Sequence, residues 1–380
     1  MILLTTFTSA YCLLLIWFAR GLNHENKIST KNKSDENFVV SVVIAVRNEE
    51  KTIGTLLTQL SNQDYPTEKY EIVVVNDQST DSSGNIITEH SRYNEQIKYV
   101  EIDHVPNDWA PKKWALNQAA QIAKGDILLF TDGDCNVGTS WISSMTSPFH
   151  DNSVGMVSGP SPLVSTDLTY IGKMLLLDSL AQDALAAGAM ARGIPLTCSG
   201  RNLAVRRQAF NSVGGYEQSK GILSGDDDLL MHRLNSAGWK IKSVLTPEAT
   251  ATSAPPDGIG AFIQQRLRFA SKGLVYYGMP ETGLIFRLML PFLWTVNLSV
   301  ITGQIAAIWT LQAKWLLPWI IKMIADGVLL GLSVRILGRQ FSPVSFLIAE
   351  LWHSMYVVMF GALGPLLPIQ WKGRFQNDIK

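Results

Sequence analysis

One short stretch constrains the fold of this chain more than any other. Residues 127–130 form a continuous apolar run, and Asp132 and Asp134 follow it, separated by a single glycine. Such a run is typical of a strand buried on both faces of a parallel sheet. Open α/β sheets bind ligands at the carboxyl ends of their strands, so both carboxylates are predicted to face a ligand. Oxygen ligands at this spacing suit Mg²⁺ or Mn²⁺. The alternative is a polar turn that ends a buried strand.

Apolar runs alternate with segments of helical periodicity on both sides of this stretch. Strands are predicted at residues 38–46, 71–76, 97–102, 126–130 and 154–158, with helices after residue 52, after residue 80 and at 112–123. This alternation predicts an α/β fold with a mostly parallel sheet and helices on both faces. Asn48, Asp77, Lys112 and Asp132 all follow strands or begin helices, so we expect them to gather at one edge of the sheet.

Composition excludes some classes of function. Lysine plus arginine and aspartate plus glutamate both number 32, so no bulk charge favours a nucleic-acid partner. Cys12, Cys135 and Cys198 show neither metal-ligand spacing nor an even disulfide framework. The cysteines are therefore consistent with a reducing, cytoplasmic environment.

The amino terminus is predicted to be a retained transmembrane anchor, residues 1–19. A cleaved signal peptide is the alternative, but no positive charge precedes the apolar run and no small-residue cleavage pattern follows it. Arg20, Lys27, Lys31 and Lys33 follow the run, which places residue 20 onward in the cytoplasm by the positive-inside rule. Residues 20–37 are polar and are predicted to be a linker.

The carboxyl-terminal part, residues 283–370, holds three apolar stretches of membrane-spanning length, at 291–311, 316–337 and 344–367. If all three span, the basic tail at 371–380 lies outside, against the positive-inside rule. The third stretch contains Gly361, Gly364 and Pro365, so a re-entrant hairpin is the alternative. A further helical segment at 168–191 either lies at the membrane interface or is an ordinary packed helix.

Charge is costly in the middle of these apolar stretches, which contain the ionisable residues Lys322, Asp326, Glu350 and His353. Lys322 and Asp326 are four residues apart and can neutralise each other on one helix face. Glu350 and His353 either pair across helices or face the enzyme body or a lipid acceptor.

Two polar motifs outside the strands carry further chemistry. Asp226, Asp227 and Asp228 precede an apolar helical segment; acids favour a helix start, but three exceed what capping needs. Mutual repulsion is expected to raise one of their pKa values and so to make a general base. Arg268 follows Gln265 just before the membrane block, where its guanidinium suits a diphosphate, or equally lipid headgroups.

Taken together and in this order, the motifs resemble those of the membrane-bound family 2 inverting glycosyltransferases, which have the GT-A fold and include ceramide glucosyltransferase and bacterial carotenoid and lipid glycosyltransferases. The resemblance covers about residues 38–275 by motif. It departs from the family at Ala45, where proline is usual, and at Phe269, where tryptophan is usual.

The resemblance implies a role for each matching residue. Asp77 would contact the nucleobase, and Lys112 would help to hold the nucleotide. Asp132 and Asp134 would form the metal-binding Asp-x-Asp motif, and Asp227 would be the catalytic base. The remaining assignments divide between donor-side residues, Asn48, Glu49, Gln265 and Arg268, and acceptor-side residues, Gly200, Asn202, Asp226 and Phe269.

The predicted protein is therefore a GT-A domain at residues 38–282 with amino- and carboxyl-terminal transmembrane helices. We expect it to transfer a sugar, with inversion, from a nucleotide sugar, most simply a UDP-sugar, to a lipid or another membrane-associated hydroxyl. The expected cofactor is Mg²⁺ or Mn²⁺, and the expected location is a bacterial inner membrane with the catalytic domain in the cytoplasm. The alternatives are a processive polysaccharide synthase, which Phe269 disfavours, and a non-catalytic membrane scaffold.

Overall fold

The computed structural model describes residues 1–29, 38–165, 169–371 and 374–375. Contacts divide the chain into two compact units. The sheet unit consists of Ile28–Leu163, Thr197–Ala254 and Gln370–Lys380. The helical unit consists of Met1–Lys27, Val164–Leu196 and Pro255–Ile369.

The sheet unit is built on seven paired strands within its described residues, in the order β3-β2-β1-β4-β7-β6-β8. Strands β3, β2, β1 and β4 are parallel, β7 is antiparallel to both of its neighbours, and β8 is parallel to β6. Two small antiparallel pairs, β5 with β9 and β10 with β11, complete the strands. The strands are β1 (Val40–Val46), β2 (Tyr70–Asn76), β3 (Ile97–Glu101), β4 (Ile127–Asp132), β5 (Cys135–Val137), β6 (Val154–Ser158), β7 (Leu203–Arg206), β8 (Lys240–Ser243), β9 (Ala251–Ser253), β10 (Gln370–Trp371) and β11 (Arg374–Phe375).

The helices of both units follow in chain order. They are α1 (Ile2–Ser29), α2 (Ile53–Ser61), α3 (Ser83–Tyr93), α4 (Pro111–Ile122), α5 (Trp141–Thr146), α6 (Tyr170–Met190), α7 (Arg207–Ser212), α8 (Asp228–Ser236), α9 (Gly258–Ala270), α10 (Val275–Gly278), α11 (Leu284–Thr310), α12 (Leu317–Ile336) and α13 (Pro343–Leu363).

The central strands are buried on both faces, as their unbroken apolar runs predicted. Val42 and Ile44 of β1 point into a core that also contains the buried side chains of α2. Val43, which alternates with them, is also fully buried and lies on the opposite face. That face is covered by α4, which packs against β1 and β2. The mostly parallel sheet with helices on both faces is therefore confirmed.

The later strands of the sheet are those that the sequence pattern did not identify. Strands β7 and β8 have four residues each, and Arg206, Lys240 and Lys242 lie within them. Strands this short and this polar have no clear period-2 pattern. The predicted strand at residues 154–158 agrees with β6.

The helical unit contains the membrane-compatible segments. Among the described residues, four helices are long and apolar enough to cross a membrane: Ile2–Asn23, Leu284–Thr310, Ala313–Ile336 and Pro343–Leu363. Helix α1 runs on to Ser29, so the first part of the predicted linker at 20–37 is helical. Residues 30–37 of that linker lie outside the described residues.

The predicted boundaries of this unit compare with the structure as follows. Helix α13 is one continuous helix from Pro343 to Leu363, and Gly361 lies within it. Helices α6, α9 and α10, which lie inside the predicted domain at 38–282, group with the membrane-compatible helices. For α6 the cause is packing, because its Ala- and Leu-rich surface lies against α12 and α13.

The ionisable residues of the apolar stretches meet in one buried cluster. Lys322 forms ion pairs with Asp326 and with Glu350, the latter at 3.1 Å. Its Nζ also lies 3.1 Å from Nδ1 of His353, and the Tyr11 hydroxyl donates to Asp326 Oδ1 at 2.6 Å. These contacts link α1, α12 and α13 and compensate the burial of charge. Pairing across helices accounts for all four residues.

Candidate active site

Lys112 links the two acidic motifs of the sheet unit. Its ammonium lies 2.8 Å from Asp132 Oδ1 and 2.8 Å from Asp226 Oδ2. Lys112 stands in the first turn of α4, where Pro111 starts the helix, and Asp132 ends β4. Residues from three distant parts of the sequence therefore meet at one ammonium group.

The pKa values of this trio follow from burial and charge. Burial acts to raise the pKa of Asp226, but the Lys112 ammonium outweighs it and holds that pKa well below its usual range. Burial likewise acts to lower the pKa of Lys112, but Asp132 and Asp226 hold it above its usual value. The expected repulsion among the three adjacent aspartates therefore does not raise the pKa of Asp226, because a cation lies against it.

Asp227 is held by backbone N–H groups. Its Oδ2 accepts from the Gly200 N–H at 2.9 Å, and its Oδ1 accepts from the Asp228 N–H at 2.7 Å, which caps α8. A Cβ on residue 200 would lie 3.0 Å from Asp226 Oδ2, so glycine allows this close approach. The carboxylate of Asp227 is half-buried and has a fixed orientation, as an acceptor of protons requires.

The loop that carries these aspartates is fixed by a second lysine, which lies outside the motifs named above. Lys113 is buried, and its ammonium donates to the Ser219 and Ser224 carbonyls at 2.9 Å each. The Ala110 N–H donates to the Lys220 carbonyl nearby. Helix α4 therefore provides one lysine for the carboxylates and one for the loop that holds them. A buried lysine cannot be recognised from a Lys-Lys pair alone.

Asp134 lies half-buried in the turn from β4 to β5. Glu49 borders the same turn, because a Cβ on Gly133 would lie 3.2 Å from Glu49 Cγ. Burial, together with Asp134 and Asp132, raises the pKa of the Cys135 thiol to about 12, so this cysteine stays neutral. The available donors are carboxylate oxygens, which fit Mg²⁺ or Mn²⁺ held by one or two acids and completed by substrate phosphates.

Asn202 is a buried residue that holds the loops around the site by hydrogen bonds. It is 0 % exposed, and its amide donates to the Pro160 and Ala249 carbonyls at 2.8 and 2.7 Å. Its carbonyl oxygen accepts from the Trp141 indole at 3.0 Å. Any part that Asn202 plays on the acceptor side would therefore be indirect, by holding the loop that presents Gly200.

Asn48 joins the loops that follow β1 and β2. Its Oδ1 accepts from the Thr80 N–H at 2.8 Å and its own N–H donates to Ser79 Oγ, with φ at +54°. Positive φ is several-fold enriched in asparagine, which explains the residue at this position. The Glu49 N–H donates to Ser83 Oγ at 2.8 Å, so several hydrogen bonds join the two loops.

Asp77, 1 % exposed, begins the second of these loops, directly after β2. Arg47 donates to the carbonyls of Asp77 and Gln78 at 2.9 and 3.0 Å. Arg374, from the short strand β11, donates to Asp77 Oδ2 at 2.7 Å and to Gln78 Oε1 at 2.6 Å. Sequence reasoning found Asp77 but not Arg374, because nothing in the local pattern connects residues nearly three hundred positions apart.

Gln265, Arg268 and Phe269 lie on α9 in the helical unit. Phe269 is 41 % exposed, and the Arg268 guanidinium lies 5.3 Å from its ring centroid. The buried arginine of this motif is Arg266, which pairs with Asp178 of α6 at 2.6 Å. The assignment of Gln265 and Arg268 to the donor and of Phe269 to the acceptor stays a prediction.

Known families and solved structures resemble this chain in sequence and in fold. Residues 41–214 match the profile of Glycosyl transferase family 2, and residues 132–363 match that of Glycosyl transferase family group 2. A mannosyltransferase, PcManGT from Pyrobaculum calidifontis, solved in complex with GDP-Man and Mn2+, aligns with a TM-score of 0.57. That alignment covers 96 % of this chain and 99 % of that one at 17 % identity, which shows the fold alone.

Relatives by sequence include the probable glycosyltransferase YdaM of Bacillus subtilis, 28 % identical over 66 % of this chain and 58 % of its own length. They also include the beta-monoglucosyldiacylglycerol synthase of Nostoc sp., 26 % identical over 63 % of this chain and 49 % of its own length. The matched region thus spans about half the length of these curated relatives. Because the family group match extends over more than half of the chain, we conclude that the protein belongs to the family 2 glycosyltransferases and is a glycosyltransferase with a GT-A fold.

Proposed function

We propose that this glycosyltransferase moves a sugar, with inversion, from a UDP-sugar to the hydroxyl of a membrane lipid, with the help of a divalent cation. The observation that carries the proposal is the position of Lys112 between Asp132 and Asp226, with Gly200 bound to the adjacent Asp227. This arrangement supports the proposal, because an aspartate of the Asp-x-Asp motif and a carboxylate of fixed orientation lie in one small volume of the sheet unit.

In the proposed reaction Asp227 accepts the proton of the acceptor hydroxyl. The hydroxyl oxygen forms a bond to the anomeric carbon on the face opposite the diphosphate, and the bond from that carbon to the diphosphate oxygen breaks. The two backbone N–H groups at Gly200 and Asp228 keep the carboxylate of Asp227 aimed while it receives the proton. A single displacement of this kind inverts the anomeric centre.

Asp132 and Asp134 would hold the divalent ion, which, when bound, neutralises charge on the diphosphate leaving group. Lys112 would turn from Asp132 toward the donor phosphates when they arrive, since one ammonium already compensates two carboxylates there. Asp77 would contact the nucleobase. It lies on the loop after β2, which Asn48 and Glu49 join to the loop after β1. Gly200 and Asp226 would lie on the acceptor side, and Asn202 would support that side by holding the loop that presents Gly200.

A lipid acceptor is supported by the four membrane-compatible helices and by the relative from Nostoc sp., whose name describes synthesis of a glucosyl lipid. The basic residues that follow the first apolar run of the sequence favour a cytoplasmic sheet unit. A processive polysaccharide synthase is the rival, because the poly-beta-1,6-N-acetyl-D-glucosamine synthase of Staphylococcus aureus is also a relative, at 25 % identity. Phe269 in place of tryptophan disfavours that rival.

The test is transfer by Asp227→Asn and Asp134→Ala variants in membranes supplied with UDP-glucose, UDP-galactose or UDP-N-acetylglucosamine and Mn²⁺. Loss of the general base is expected to lower transfer by about 100-fold or more. The Asp134→Ala variant should lose transfer, and added Mn²⁺ should not restore it. Mass spectrometry of extracted lipids would identify a product heavier by a hexose or N-acetylhexosamine.

Asp64→Asn is the matched control, since Asp64 is an exposed acid of the sheet unit outside the site. Near-parental transfer by Asp227→Asn, together with loss in Asp134→Ala, would show that Asp227 is not the base. A ladder of products instead of a single addition would favour the polymer synthase.

A further inference from the structure

The turn that follows β2 is held from two directions, and one of them is the carboxyl-terminal tail. Arg47 binds the turn through its backbone carbonyls, whereas Arg374 binds it through its side chains. Each terminal nitrogen of Arg374 contacts a different residue, Asp77 and Gln78. A planar guanidinium that makes two such bonds fixes the orientation of both partners.

The two partners need this support. Asp77 is buried, and a buried carboxylate requires a compensating charge. Gln78 has φ at +56°, in the left-handed region that a non-glycine residue rarely adopts. Its amide nitrogen also donates to the Asp103 carbonyl at 3.1 Å, so the Gln78 side chain bridges the tail and the loop after β3.

Two arginines lie near the Asp77 carboxylate. Arg374 pairs with it directly. Burial first and the nearby Arg374 second lower the pKa of Arg47, while Asp77 acts to raise it. The Asp77 carboxylate is therefore near a cation of the tail and near a cation of the loop after β1.

From these contacts we propose that Arg374 is a positioning residue of the donor site, and that the tail carrying it completes the nucleoside end of that site. Arg374 holds the Asp77 carboxylate in the orientation that receives the nucleobase and keeps Gln78 in its strained conformation. The inference rests on the proposed function, because it takes Asp77 as the residue that meets the base. It adds a residue outside the motifs that carried the family resemblance.

The experiment is calorimetric binding of UDP, with GDP as the second probe, to full-length protein in detergent with Mn²⁺, followed by the kinetics of transfer. For Arg374→Ala we expect UDP affinity to fall about tenfold, because Asp77 loses the charge-assisted hydrogen bond that orients it for the base. The KM for the donor should rise by a similar factor while kcat changes little, because Arg374 contacts neither the sugar nor the acceptor. Arg374→Lys, which keeps the charge but can bind only one partner at a time, should recover part of the affinity.

Arg92→Ala is the control, because Arg92 is an exposed arginine at the end of α3 in the same unit. Unchanged UDP affinity in Arg374→Ala overturns the inference while leaving the proposed function intact. Tighter binding overturns it as well, because the tail would then block the site. If the parental protein binds neither UDP nor GDP, the proposed function fails first and the inference fails with it.

Discussion

Asp226 shows how one neighbouring charge decides what a carboxylate can do. The sequence presents Asp226 and Asp227 as near equivalents, but Lys112 pairs with the first and backbone N–H groups with the second. A carboxylate whose pKa is held low by an ammonium is a weak base, so it suits an electrostatic role. Asp227, which accepts hydrogen bonds from two backbone N–H groups, stays the predicted proton acceptor.

This pairing predicts a dependence of stability on pH. The pKa of Asp226 is depressed in the folded protein, so its stabilising effect is present above the unfolded pKa of about 3.9. The effect is lost as the pH falls from there toward the folded pKa. We expect Asp226→Asn to melt well below the parental protein at pH 7, and the difference to shrink below pH 4.

Thermal melts in detergent at pH 7, 5 and 3.5 would measure this difference, with Asp64→Asn as the control. A difference that stays constant across the three values would show that the Lys112 pair does not set the stability of Asp226.

At the scale of elements, helix α9 carries two arginines in different environments. Arg266 is 3 % exposed, is paired with Asp178 and lies 5.0 Å from the Phe262 ring centroid. Burial acts to lower the pKa of Arg266, but Asp178 raises it above its usual value. Arg268 is half-buried, and its contact with the diphosphate stays a prediction.

The two arginines therefore form a matched pair of mutations. Arg266→Ala leaves Asp178 without its cation and is expected to cost about 3 kcal/mol of stability, in the range found for a broken buried pair. Arg268→Ala should leave the unfolding free energy within about 0.5 kcal/mol of the parental value, as for a surface change, and lower transfer instead. Urea unfolding and donor kinetics on both variants would separate the effects, and the reverse result would exchange the two roles.

At the scale of the whole molecule, the tail constrains the membrane topology. Arg374 contacts Asp77 within the sheet unit, so the chain that leaves this unit at Ala254 returns to it at Gln370. A segment that starts and ends on one side of a membrane crosses it an even number of times. We predict that only two of α11, α12 and α13 cross and that the tail lies on the side of the sheet unit.

A cysteine-labelling experiment tests this topology in intact cells and in opened vesicles. The natural cysteines are first replaced by serine, and single cysteines are then placed at residue 380, at residue 64 of the sheet unit and at residue 312 between α11 and α12. The cysteine at residue 380 should be labelled from the same side of the membrane as the cysteine at residue 64. Labelling of 380 from the opposite side to 64 would mean that all three helices cross.

The sequence by itself determined the parallel half of the sheet, the membrane-compatible helices and the order of the acidic motifs. These follow from apolar periodicity and from residue types at strand ends, which are local properties of the chain. Tertiary structure alone decided that Lys112 lies between Asp132 and Asp226, that Lys113 fixes the loop, and that Arg374 reaches Asp77. The physical reason is that an ion pair forms only between side chains that folding brings within about 4 Å of each other. The number of residues between two side chains does not determine their distance in space.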